Sequence, residues 1–111
     1  MRVLLDGCVP RPLRNELPGH EVRTVSDMGW ADFDDGPLLD AMTGRFDALV
    51  TVDKNLPGQQ RLGDRPFEVC VLRARSNRMA DLLPIVPALR KALEQLHPGQ
   101  ARELFADMAR E

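Results

Sequence analysis

Cysteine is scarce, with only Cys8 and Cys70 in 111 residues. That excludes a disulfide scaffold, and the lack of a CxxC pair excludes the closely spaced ligands of zinc and redox sites. Both are read as reduced thiols: Cys70 sits inside an apolar run and belongs to the core, whereas Cys8 lies close enough to Asp6 to touch a site. Aromatics are also few, one Trp and four Phe with no Tyr, so base stacking is not expected to dominate affinity for a nucleic acid. No apolar run approaches the ~20 residues that span a bilayer, and no charged segment followed by an apolar stretch opens the chain. A cytoplasmic protein with no membrane partner is expected. Positive charge is not in excess either. Fifteen Lys and Arg stand against seventeen Asp and Glu, a net charge of −2, so any contact with nucleic acid must come from a local basic patch.

What remains is the composition of an ordinary globular domain, 43% apolar and 29% charged. The length favours one domain able to bury a core without disulfides or a structural metal. No internal repeat, linker or low-complexity stretch interrupts it.

The chain alternates strand and helix signals. Val3-Leu4-Leu5 reads as a buried strand, and Pro10-Arg-Pro opens a short helix over about 11–17. His20 to Val25 alternates and is rich in β-branched residues, a second strand. A helix is expected from Pro37 to Thr43, capped by Asp35. Phe46 to Val52 is the clearest strand, followed by a short helix near Gln59, and Phe67 to Leu72 is a fourth strand. Ser76-Asn77 caps a longer helix whose leucines recur every three or four residues, kinked by Pro84 and Pro87 and ended by His97-Pro98-Gly99. This predicts an α/β fold with a central parallel sheet of about four strands in the order 2-1-3-4, helices on both faces, and a polar amphipathic tail over 98–111.

Two of the strands end on an acid, Asp6 and Asp53. In such sheets ligands bind beyond the carboxyl ends of the strands where the winding reverses, and on this order the two acids flank that point. Carboxylates at neighbouring strand tips repel, and a divalent cation relieves the repulsion. Oxygen-rich open sites suit Mg²⁺ or Mn²⁺, which can activate water for phosphodiester cleavage. The alternative is that each acid caps a turn, Asp53 through the backbone of Asn55 and Asp6 through that of Cys8. Asp34, Asp35 and Asp40 offer a third carboxylate, although acids in a first helical turn also suit the helix dipole. Arg73, Arg75 and Arg78 follow the fourth strand on the same edge, with Lys54 and Arg11 on neighbouring loops. Together they would form a basic rim suited to a phosphate backbone, or merely a solvated loop.

The segments LLDGCVPRPLRNELPGHEV, FDALVTVDKNLPGQQ and VCVLRARSNRMADLLPIVPAL resemble the small PIN-like proteins, predicted nucleases related to PIN-domain toxins and formerly grouped as a domain of unknown function. The resemblance covers residues 1–97, taken as the PIN-like domain. It implies a PIN-like three-layer fold, RNA cleavage dependent on Mg²⁺ or Mn²⁺, and often a toxin role beside an antitoxin protein; a homodimer is a further candidate assembly. Asp6 and Asp53 match the family's first acid and the acid after the central strand, and Asn55 the asparagine that follows it. Gly7 and Cys8 replace a Glu and an Asn, and Pro37 replaces an acid before Leu38-Leu39. Asp40 or Asp35 is expected to substitute for that acid. The second reading is a catalytically degenerate relative that binds RNA or a protein partner. A phosphoacceptor receiver domain also places an Asp after its third strand, but the acidic pair after strand one and the late lysine are missing.

Overall fold

The structure is a computed structural model that describes residues 1–106; the expected tail over 107–111 lies outside the described residues. Strand β1 (Arg2–Leu5) leads through a 3₁₀ helix (Arg11–Glu16) to β2 (Glu21–Thr24). Helix α1 (Asp35–Met42), β3 (Ala48–Thr51), α2 (Leu56–Gln59) and β4 (Glu68–Leu72) follow. Helix α3 (Met79–Leu82) passes through a 3₁₀ turn (Leu83–Ile85) into α4 (Val86–Glu94), and β5 (Ala101–Leu104) closes the order. All neighbouring strands run parallel, in the order β2-β1-β3-β4-β5.

The expected order is found, and a fifth strand extends it. Residues 101–104, expected as polar tail, instead pair with β4 from Val69↔Ala101 to Leu72↔Leu104. Two contacts draw this polar segment onto the sheet. Arg102 binds the fully buried Glu68 of β4 through Nε and Nη2, and Leu104 is buried against the core. Gly99 makes the entry turn at φ 85°, where a Cβ would lie 2.9 Å from the Gly63 carbonyl oxygen, so only glycine fits.

Strands β3 and β4 are buried along their whole length, as a sheet covered on both faces requires. Val3, Leu5, Val50 and Cys70 face a core layer shared with the first 3₁₀ helix and α4, through Leu13, Leu89 and Leu93. Leu4, Leu49, Val69 and Val71 face the other layer, under α1 and α2, with Leu38, Leu39, Met42 and Leu56. The long helix expected after Ser76 is broken into three pieces because Pro84 and Pro87 each remove a backbone donor. Among the described residues no helix is long and apolar enough to cross a membrane.

Candidate functional site

The strand period of two decides which way the acids face. Leu4 and Leu49 point into the layer under α1, so Asp6 and Thr51, two positions on, share that face at the carboxyl edge. Thr51 is fully buried, and its hydroxyl donates to Asp6 Oδ2 at 2.7 Å, joining the tips of β1 and β3. The Thr51 hydroxyl oxygen in turn accepts from the backbone N–H of Asp53 at 3.1 Å. Gly7 N–H donates to the other Asp6 oxygen at 2.8 Å, and Asn55 N–H to Asp53 Oδ1 at 2.9 Å. Both acids therefore also brace their turns, Asp53 through Asn55 as expected and Asp6 through Gly7 rather than Cys8. The Cys8 thiol lies 3.7 Å from Asp6 Oδ2 and 3.6 Å from the Thr51 hydroxyl. Burial pushes that thiol up and the Asp6 carboxylate adds to the rise, against hydrogen bonds at Val52 and Thr51 that lower it. A thiol held protonated is a weak nucleophile.

Asp35 opens α1 over the same edge. Its carboxyl is raised from the usual range, first by burial and then by the charges of Asp6, Asp53 and Asp34. Of the two candidates for a third acid, Asp35 is the one whose carboxyl feels the charges of Asp6 and Asp53. Asp40, the other candidate, belongs elsewhere: it pairs with Arg65 at 2.7 Å, and its side chain is 72% exposed. Five helical positions separate the two, which turns them about 140° apart around the axis. Asp34, not Asp35, is the residue that precedes the helix, so α1 starts two residues before the expected Pro37.

The basic rim divides. Arg73 is taken up by an ion pair with Glu103 of β5 and lies over the Phe105 ring at 5.7 Å. Arg11 pairs with Asp27 at 2.9 Å, though it also lines a cleft of about 270 Å³ beside Asp6. Both were expected on the phosphate-binding rim, and in each case a nearby acid has claimed the guanidinium. Arg75 and Arg78 have no acidic partner among the described residues and line an open cleft of about 480 Å³ after β4. Lys54 and Asn55 are exposed on the loop after Asp53, and Lys54 has no acidic partner among the described residues. Asn77, read as a helix cap, instead donates from Nδ2 to the Cys8 carbonyl at 2.9 Å, tying the arginine loop to the turn after β1.

Thr51 carries no motif signal in the sequence, because a threonine inside a strand reads as a β-former. Its register signal was available: it lies two residues before Asp53, on the face of Leu49.

Among the described residues no three His, Cys, Asp or Glu side chains close around a common point able to hold a metal ion. The donor set fits a cation held loosely through water by one or two carboxylates, the habit of Mg²⁺, rather than a closed cage. None of Asp6, Asp35 and Asp53 is neutralised by a basic side chain within 4 Å among the described residues. No family model matches the chain, and no curated protein or solved structure is significantly similar to it.

Proposed function

We propose that the chain is a metal-dependent ribonuclease of PIN-like type, acting in the cytoplasm, with Asp6, Asp35 and Asp53 at its centre and RNA as substrate. The observation that carries this reading is that Asp6, Asp35 and Asp53 have no basic side chain within 4 Å among the described residues. These residues would hold Mg²⁺ or Mn²⁺, and a cation there supplies an activated water and stabilises charge developing on a phosphate. The protein's own part is to hold Asp6 and Asp53 in place through Thr51, and to offer Arg75 and Arg78 to the flanking phosphates. A toxin role with an antitoxin partner is an extension of this reading, and it rests on the family resemblance alone.

The test is RNA cleavage across a Mn²⁺ titration. Asp53→Asn keeps shape but removes charge, so it should abolish cutting while the circular dichroism spectrum is unchanged. Equal cutting by both proteins would assign the activity to a contaminant.

A second reading, a degenerate relative that binds RNA or a protein partner without cutting, is favoured by one feature. Both Asp6 oxygens already accept hydrogen bonds, and among the described residues no three acids gather closely enough to hold a metal. RNA retention by the parent protein with no cutting at any Mn²⁺ concentration would select it.

A further inference from the structure

Strand β1 lies between β2 and β3, so Asp6 at its tip has the turn of Asp53 on one side and the tip of β2 on the other. On the β2 side lies the cleft of about 270 Å³, lined by Asp6, Arg11, Thr24 and Ser26 among others. That is below the about 300–1,000 Å³ of drug-sized sites, room for one sugar-phosphate unit rather than several nucleotides. Arg11 is held there by its neighbours. Pro10 and Pro12 fix the backbone on either side of it. The turn is closed by the Val9 N–H to the Asp6 carbonyl at 2.9 Å and the Leu13 N–H to the Pro10 carbonyl at 3.0 Å.

Arg14 comes three residues later in the same 3₁₀ helix, whose three residues per turn put both side chains on one face. Both guanidinium groups meet one acid. Arg11 Nη1 lies 2.9 Å from Asp27 Oδ1, and Arg14 Nη1 lies 3.7 Å from Asp27 Oδ2. Neither arginine has another acidic partner among the described residues, so two cations share one carboxylate and one positive charge is left over. Asp27 does not depend on Arg11. The Thr24 N–H donates to Asp27 Oδ2 at 2.9 Å, and this bond is the first cause holding the carboxyl below its usual range, ahead of Arg11.

We propose that the cleft is a subsite for one sugar-phosphate unit of the RNA, next to the unit over the acids, and that Arg11 exchanges Asp27 for its phosphate while Arg14 keeps Asp27 paired. This rests on RNA being the ligand at the carboxyl edge. Both arginine side chains are about half exposed, and an exposed ion pair is weakly held, so the exchange costs little. A phosphate offers the planar guanidinium two oxygens, as the carboxylate does. Thr24 and Ser26 add hydroxyl-bearing side chains to the lining, suited to sugar and phosphate contacts.

The full chain is titrated with a short fluorescein-labelled oligoadenylate in Ca²⁺, which offsets the charge of the acids, over a range of salt concentrations. Arg11→Ala should flatten the slope of log affinity against log salt by about 0.7 and weaken binding about fivefold at low salt, the worth of one phosphate on a single strand. Arg11→Lys keeps the charge and should restore the slope. Asp27→Asn keeps an oxygen for the Thr24 N–H but drops the competing charge, so it should tighten binding in the parent and not in Arg11→Ala. An unchanged slope in Arg11→Ala, no recovery in Arg11→Lys, an equal gain from Asp27→Asn in both backgrounds, or no binding of oligoadenylate to the parent would overturn the proposal. The two readings fail separately. Binding that depends on Arg11 without any Mn²⁺-dependent cutting removes only the nuclease, and cutting with an unchanged salt slope in Arg11→Ala removes only the subsite.

Discussion

The hydroxyl of Thr51 donates to Asp6 and accepts from the backbone of Asp53, so one buried side chain fixes both strand tips. Asp6 and Asp53 were legible in the sequence because each abruptly ends an apolar run. The third acid was not, since Asp35 and Asp40 sit on one helix and only the true start of α1 separates them. That assignment can be checked by titration. The Asp35 carboxyl is raised in the fold, chiefly by burial and then by its acidic neighbours, so the folded state binds this proton more tightly than the unfolded chain does. By linkage, the destabilising effect is absent below the ordinary aspartate range and grows as pH rises through it. Asp35→Asn should therefore melt higher than the parent at neutral pH, with the difference vanishing in acid. Added Mg²⁺ should raise the melting temperature of the parent more than that of Asp35→Asn. Equal melting at neutral pH would show that neither burial nor the other acids burden the Asp35 charge.

At the level of elements, strands β1, β3 and β4 could be read directly, because strands buried on both faces are continuous apolar runs. Strand β5 could not. Ala101-Arg102-Glu103-Leu104 is a short edge segment with two charges, and its reason for being a strand lies across the sheet in Glu68. Glu68 is fully out of water and also accepts the His97 N–H at 2.7 Å, while Arg102 further donates to the carbonyls of Ala92 and Gln95 that end α4. Removing one partner of such a pair leaves a buried charge uncompensated. Arg102→Met should lower unfolding free energy by about 3 kcal/mol in urea denaturation, the low end for a broken buried pair because part of Arg102 is solvated. Adding Glu68→Gln in the same protein should recover much of that loss. Additive losses in the double variant would mean the two side chains act independently.

Taken as a whole, the molecule carries a slight negative charge yet has separated its signs along one edge, with acids over β1 and β3 and, after β4, arginines that have no acidic partner among the described residues. Such local separation is invisible in the net charge. Each arginine that neutralises a phosphate of a single strand contributes about 0.7 to the slope of log affinity against log salt. Replacing Arg75 and Arg78 by Ala together should flatten that slope by about 1.4 for oligoadenylate. Replacing Arg73 should change it little, since Glu103 already holds that guanidinium. The order of synthesis gives the Glu68–Arg102 pair a further consequence. Glu68 leaves the ribosome before Arg102, so the nascent chain has every acid of the candidate centre in hand while its buried carboxylate still lacks a counter-ion. Domains fold as units, and this sheet cannot settle until β5 emerges. A nascent chain whose β5 is still inside the ribosome should therefore be protease-sensitive, and the centre would first assemble only once that strand is free.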